Sequence, residues 1–369
     1  MGMVGDQGNV YYFGKLSNPN THTVILKFDQ AGSLVFEKLT ELKPQPRAFS
    51  VSQNETFLYA FMELQIPAGV IVEYSGITGL VELAISFAPI PTSDSLITVN
   101  FNANIFYFTE GSGGDAKIYS TCPKSSTNDW FTNALYVTYT NQKGPIGLLF
   151  DSQASNIIYF VLIDNTQPAD LHLKKADIAN INFEDWSAHI SCPDSSCSAS
   201  LSTLIIDNVN SLLYGAVNYD DRVLLLKFSK IDGSEIGNMY STAATLTCSG
   251  TASLTQNGND FYILATCGST FMVKYDSVAD EIHLTIKLTE ASVFLSDAFY
   301  NSGYYEMLGY WSPSGENGYI GILKLDKIDN HPHFLSSENI FLQQLAYPII
   351  TDTPSGIKKF YIHLFSNFE

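Results

Sequence analysis

The chain repeats itself. NIFYF at residues 104–108 returns as NIIYF at 156–160, and a Tyr closes a short apolar run again and again. The anchors are NVY at Tyr11, FLY at Tyr59, IFY at Tyr107, IIY at Tyr159, LLY at Tyr214, DFY at Tyr262, GYY at Tyr305 and KFY at Tyr361. Successive anchors stand about 43 to 56 residues apart. A recurring spacing of that size means one supersecondary unit laid down repeatedly, each too small to bury its own apolar face without a neighbour. It is too long for most helical solenoids.

Each unit keeps an internal order: an apolar run, a polar turn, the Tyr run, a loop, then a run ending in Lys-aromatic-Asp and its return. VILKFDQAGSLVFEKL (24–39) and FMVKYDSVADEIHLTIKL (271–288) show the last part twice, and VLLLKFSKIDGSEIG (223–237) and IGILKLDKIDN (320–330) vary it. Asn, Asp, Gly and Ser between runs of β-branched and aromatic residues are hairpin chemistry. The runs last four to eight residues between turn signals, too short and too β-branched for helices. One stretch, Leu171 to Trp186, reads as an enlarged connection with room for a helical turn. Four strands per unit at this period predict an all-β chain: a single β-propeller over residues 1–369, built of four-stranded antiparallel blades, seven in number with eight as the alternative.

GNVYYFGKL (8–16) followed by LKFDQAGSLVFEKL (26–39) resembles the β-propeller repeats of secreted and surface proteins, whose units read Gly-Asn-x-Tyr-x-x-Gly and then Lys-aromatic-Asp-x-x-Gly-x-Leu. The other units share the aromatic and turn positions. The resemblance implies the fold and an extracellular or cell-surface location. The shared positions are structural, so it implies no catalytic residue and no cofactor.

The first unit reads from its second strand, GNVYYF, while the end of the chain supplies both Leu345 to Thr351 and a further Tyr strand at Lys359 to Phe365. Residues 1–43 and 345–369 are therefore expected in the closing blade or in a neighbouring chain. A ring closed by pairing the two ends needs one copy of the Tyr strand, which leaves KFYIHLF surplus. An apolar strand with an open row of amides is a template for strand addition. Ile357, Phe360, Tyr361, Ile362, Leu364 and Phe365 are the expected interface with another chain, or with a further domain of a longer parent.

Charged residues make up 15% of the chain, while 21 Tyr and 24 Phe take much of their place. That composition suits a secreted surface. With 37 acids against 19 bases the formal charge is -18, which excludes nucleic acid and anionic lipid as partners. Apolar runs broken by Glu73 and Glu82 fall short of a membrane span, so no membrane insertion is expected. MGMVGDQGNV lacks a basic region followed by an apolar one, and a processed or partial start is the expectation.

Chemistry is sparsely marked. GxSxG, Walker-type glycine loops and HExxH are absent, so no catalytic residue is assigned. Five cysteines without a CxxC pair favour disulfides over metal: Cys248 with Cys267 across one hairpin, Cys192 with Cys197 around a loop, and Cys122 left over. His331-Pro-His333 beside Asp326 and Asp329 is better read as a solvated turn than as a metal site, and the acidic turns lack the spacing of calcium loops. Asn54-Glu55-Thr56 is an N-glycosylation acceptor. The expected function is a non-catalytic extracellular structural or adhesive module, such as the subunit of a surface filament or coat. Its partners would be copies of itself or another extracellular protein, with glycans as further ligands. The alternative is a carbohydrate-binding or carbohydrate-cleaving propeller using Trp130, Trp186 and Trp311 as sugar platforms.

Overall fold

The computed structural model describes the strand and turn residues from Gly2 to Asp326, apart from connecting segments such as 122–133 and 191–198, and the strand Phe360–Leu364. Among the described residues there is no helix, and there are seven four-stranded antiparallel sheets. They occupy residues 2–40, 45–87, 97–140, 142–190, 199–241, 253–288, and 293–326 with 360–364. In each, four strands consecutive in the sequence lie side by side in order.

The first strands of the sheets meet one another. Gln45–Val51 touches Ile97–Asn100, and contacts pass on through Gln142–Phe150, Ala199–Asp207 and Ser253–Asn257 to Val293–Asn301. Val293–Asn301 in turn touches Gly2–Val4, and Val10–Leu16 touches Gln45–Val51, so the circuit of sheets closes. First strands lie inside and fourth strands outside.

Tyr59, Tyr107, Tyr159, Tyr214 and Tyr262 are each the third residue of the second strand of their sheet. The register repeats with them. Tyr11, Tyr159, Tyr214 and Tyr262 stand opposite Lys27, Lys175, Lys227 and Lys274 on the third strand.

Long apolar runs follow from burial on both faces, because each sheet is covered by the one before and the one after. In Phe57–Glu63, Leu58, Ala60 and Met62 pack with Tyr11, Phe13 and Ile25 of the first sheet. Tyr59 and Phe61 point the other way, to Ile97 and Tyr119 of the third. Ile158, Phe160 and Leu162 likewise face the third sheet while Tyr159 and Val161 face the fifth. A fully buried Phe61 or Phe160 contributes roughly 2–3 kcal/mol of transfer free energy.

The chain ends differ from the expectation. The first sheet is complete in itself, with Gly2–Val4 as its first strand, paired to Val10–Leu16. Phe360–Leu364 is the fourth strand of the last sheet, paired to Tyr319–Asp326 through Leu323 opposite Ile362 and Lys324 opposite Tyr361. The terminal Tyr strand is therefore not surplus. It supplies the outer position that residues soon after Asn330 would have filled by analogy with the other hairpins, and Phe360, Tyr361, Ile362 and Leu364 lie in a ladder of their own chain. Ile357 and Phe365 lie outside the described residues. Among the described strands, Gly2–Val4 lies in the first sheet and Phe360–Leu364 in the last.

Candidate contact face

Consecutive antiparallel strands bring the first-to-second and third-to-fourth turns of every sheet to one end and the second-to-third connections to the other. The turn-bearing end is built by a recurring set of contacts between sheets.

Between the first and second sheets the centre of this set is Glu55. It lies in the turn after Gln45–Val51, yet only 2% of it is exposed, and its backbone is left-handed with φ 56°. Tyr11 donates its hydroxyl to Glu55 Oε2 at 2.6 Å, and Asn9 donates its amide to the same oxygen at 2.6 Å. Burial, then the bond to the Glu55 carboxylate, holds the Tyr11 hydroxyl far above its ordinary range. Lys27 lies over the Tyr11 ring at 5.3 Å and donates to the Gly76 carbonyl at 2.7 Å. Burial pulls Lys27 down, and the Glu55 charge partly restores it. Phe36, opposite Lys27 on the fourth strand, lies against Gly79, whose φ of 67° suits glycine. The row Tyr11, Lys27 and Phe36 thus docks onto both turns of the second sheet.

The row recurs in the fourth sheet as Tyr159, Lys175 and Trp186. Trp186 lies over Gly233, φ 72°, in the corresponding turn of the fifth sheet, with the Tyr159 ring 6.1 Å away. Lys230 of that turn reaches back to the fully buried Asp151 at 2.7 Å. Trp186 is thus packed between sheets rather than presented as a sugar platform. Trp130 is outside the described residues, and Trp311 closes the strand Tyr304–Trp311.

The turns themselves are tightly hydrogen-bonded. In the second sheet Gly79 N–H bonds the Ser75 carbonyl at 2.7 Å, and in the fifth Gly233 N–H bonds the Ser229 carbonyl at 3.0 Å. Three third-to-fourth turns are tied to the first-to-second turn of the same sheet: Gly76 N–H to the Thr56 carbonyl, Lys230 N–H to that of Ser211, Ser277 N–H to that of Asn259. The residue that follows each of these donors is aliphatic and exposed: Ile77 by 71%, Ile231 by 73% and Val278 by 74%. Val209, in a first-to-second turn at the same end, is 92% exposed. Beside Ile231, the exposed Asp232 carboxyl is held down at about 2 by hydrogen bonds from Ser229 and Ser234. Apolar tips are thus fixed on hydrogen-bonded turns, and at Ile231 the neighbouring carboxylate stays charged.

In the second sheet Tyr59 donates to Glu73 across the ladder. Burial raises Glu73 above the usual carboxylate range, the Tyr59 bond opposes this and the charge of Glu82 adds to it. A raised folded-state value means that stability is lost as pH climbs from the unfolded value through the folded one. Glu73→Gln is therefore expected to raise the melting temperature at pH 7 and to match the parent near pH 4, which thermal unfolding at both pH values checks.

The residues singled out in the sequence are scattered. Asn54 is exposed on this face, its Oδ1 accepting from Thr56 N–H at 3.1 Å and from the Ser52 hydroxyl at 3.0 Å. Cys267 ends Asp260–Cys267, opposite Ser269. Cys122, Cys192, Cys197, Cys248, His331 and His333 lie outside the described residues. Glu55 escaped sequence reading because a Glu in a polar turn looks solvated. Its one signal was the company of Asn9 and Tyr11, visible only after the sheets are paired. Among the described residues no helix is long and apolar enough to cross a membrane.

No family model matches the chain, and no curated protein matches it. Solved structures do. The mitotic checkpoint complex contains a chain similar to this one at a TM-score of 0.57, with 8% identity over 88% of this chain and 86% of that one. The β-propeller domain of Cps50 (Swd1) from Myceliophteria thermophila is similar at 0.53, with 10% identity over 82% and 92%. BamB from Moraxella catarrhalis matches at 0.49, with 10% identity over 89% and 95%. At such identities likeness speaks to fold alone. With its ring of four-stranded antiparallel sheets, the chain is a β-propeller.

Proposed function

We propose that this propeller is a non-catalytic contact module of the extracellular space or cell surface, working by self-association or by binding another extracellular protein. The observation that carries this reading is the set of rigid turns presenting Ile77, Val209, Ile231 and Val278 to solvent at one end of the ring. Ordered, exposed aliphatic side chains lose little freedom on binding and gain from desolvation. Leu34, Val35 and Leu39 on the outer strand Leu34–Thr40, and Leu80 and Val81 beside it in the second sheet, add exposed apolar area at the rim. Association through both regions would build a filament or coat. The low charged fraction and the exposed Asn54 acceptor support a secreted, glycan-bearing protein.

The combined variant Ile77→Asp, Ile231→Asp, Val278→Asp tests the reading. Light scattering is expected to show concentration-dependent association of the parent that grows with added salt, since screening relieves the repulsion between chains of charge -18. The variant is expected to stay monomeric with an unchanged circular dichroism spectrum. Association unaffected by the three substitutions would remove this face from the reading.

A further inference from the structure

The opposite end of the fourth sheet carries a cluster that the contact face does not use. Asp164 ends the second strand and Asp170 precedes the third, and Asp164 N–H bonds the Asp170 carbonyl at 2.8 Å. His172 stands two residues along from Asp170, and His189 of the fourth strand is its direct cross-strand partner. Gln142 of the first strand is paired with Asp164. Paired residues, and residues two apart on one strand, share a face, so all five lie on the side of the sheet toward the third sheet, with Leu162.

We propose that His172, His189, Asp164 and Asp170 form a binding site for a divalent transition-metal ion of the zinc class. Two imidazoles and two carboxylates are a nitrogen and oxygen donor set that zinc accepts in tetrahedral geometry. The rings of His172 and His189 have centroids 5.0 Å apart. His172 Nε2 lies 3.4 Å from Asp164 Oδ2 but is buried without a hydrogen-bond partner. That separation is too long for a good hydrogen bond. It is the edge of a tetrahedron whose ligand bonds are about 2.1 Å. The Gln142 side-chain oxygen, next in the register, is also buried without a partner. Two buried polar atoms without a hydrogen-bond partner at one end of one face call for a ligand, and a neutral His172 with its proton on Nδ1 would offer Nε2 to a cation.

The second half of the site is closed by a hydrogen bond. His189 Nε2 is 2.7 Å from Asp170 Oδ2, and with His189 so placed no group of three or more His, Cys, Asp or Glu among the described residues is arranged to hold a metal ion, so the site forms only when His189 turns. The His189 side chain is half exposed, so it can turn from Asp170 without disturbing the core. Lys174, two residues further along the same face, is engaged 4.9 Å from the Tyr139 ring and with the Ser187 hydroxyl, away from the site.

The full chain, stripped with EDTA, is titrated with Co²⁺ followed by visible absorption and with Zn²⁺ by calorimetry. One site with the intense visible bands of tetrahedral cobalt is expected, displaced by Zn²⁺. His189→Ala, at an exposed position, is expected to keep the circular dichroism spectrum and weaken binding at least about 100-fold. His172→Ala and Asp164→Asn should do the same where they fold. A His331→Ala, His333→Ala variant should bind as the parent does. Absence of a tetrahedral cobalt spectrum, binding untouched by His189→Ala, or binding lost with His331 and His333 would each overturn the assignment.

Discussion

Glu55→Ala is expected to destabilise the protein by about 3–5 kcal/mol, because two donors lose the carboxylate oxygen they share, at roughly 1–3 kcal/mol each. The loss has named parts. Tyr11 and Asn9 lose the oxygen they share, and Lys27, 8% exposed, loses the nearby charge that partly offsets its burial. Three further variants separate backbone from side chain. Glu55→Gln retains an acceptor and is expected to cost about 1–3 kcal/mol. Glu55→Gly should recover about 1 kcal/mol relative to Ala, because φ is 56° there and glycine carries no penalty. The double variant Glu55→Gln, Lys27→Met should be less damaged than the sum of its singles, since the two charges leave together. Urea unfolding measures all of them. A Glu55→Ala protein within 1 kcal/mol of the parent would mean that the buried bonds contribute no net stability.

Gly76→Ala is the second large effect. A Cβ at Gly76 would sit 1.9 Å from the Glu55 carbonyl oxygen and 2.9 Å from its carbon, both backbone atoms. The two turns of the second sheet are tied there by Gly76 N–H on the Thr56 carbonyl at 2.7 Å, and Lys27 bonds the Gly76 carbonyl. One methyl must therefore part the turns and disturb the Glu55 cluster together, at a cost of about 3 kcal/mol. Gly14→Ala is the contrast. Its Cβ meets the Tyr12 side chain, closest at the hydroxyl, 2.3 Å away, and a flexible ring can swing aside. That variant should cost under about 1 kcal/mol. Equal losses in the two would show that the side-chain clash, rather than the turn backbone, governs.

Much of the fold could be read from the sequence because Tyr59, Tyr107, Tyr159, Tyr214 and Tyr262 do one job in successive sheets, and a repeated job leaves a repeated residue. The Lys opposite several of them made the third-strand signature readable too. The chain ends were misread for a local reason. Gly2–Val4 is a three-residue strand with no pattern to show, and the long interval between Asp326 and Phe360 hid that KFYIHLF closes the sheet begun at Val293. Side-chain clusters were invisible for a different reason. Glu55 meets Asn9 and Tyr11, and His172 meets His189, through cross-sheet and cross-strand proximity that no linear spacing encodes. Ile231 and Val278 stand in stretches that read as turns, and only the closed turns show that they and Ile77 face solvent.

Among the described strands, each sheet is built of four that are consecutive in the sequence, with none lent across the closure. The ladders are thus private to each repeat, and only side chains and turns cross the boundaries between repeats. A gene that gained or lost one whole repeat would leave every remaining backbone ladder intact and change only the circumference to be closed. Rings sewn shut by a borrowed strand lack that freedom, because their two termini are bound to a single sheet. The weak family likeness between units fits such a history: once copied, each unit answers only to its two neighbours. Its sequence can drift wherever the row of Tyr, Lys and aromatic still finds the next pair of turns.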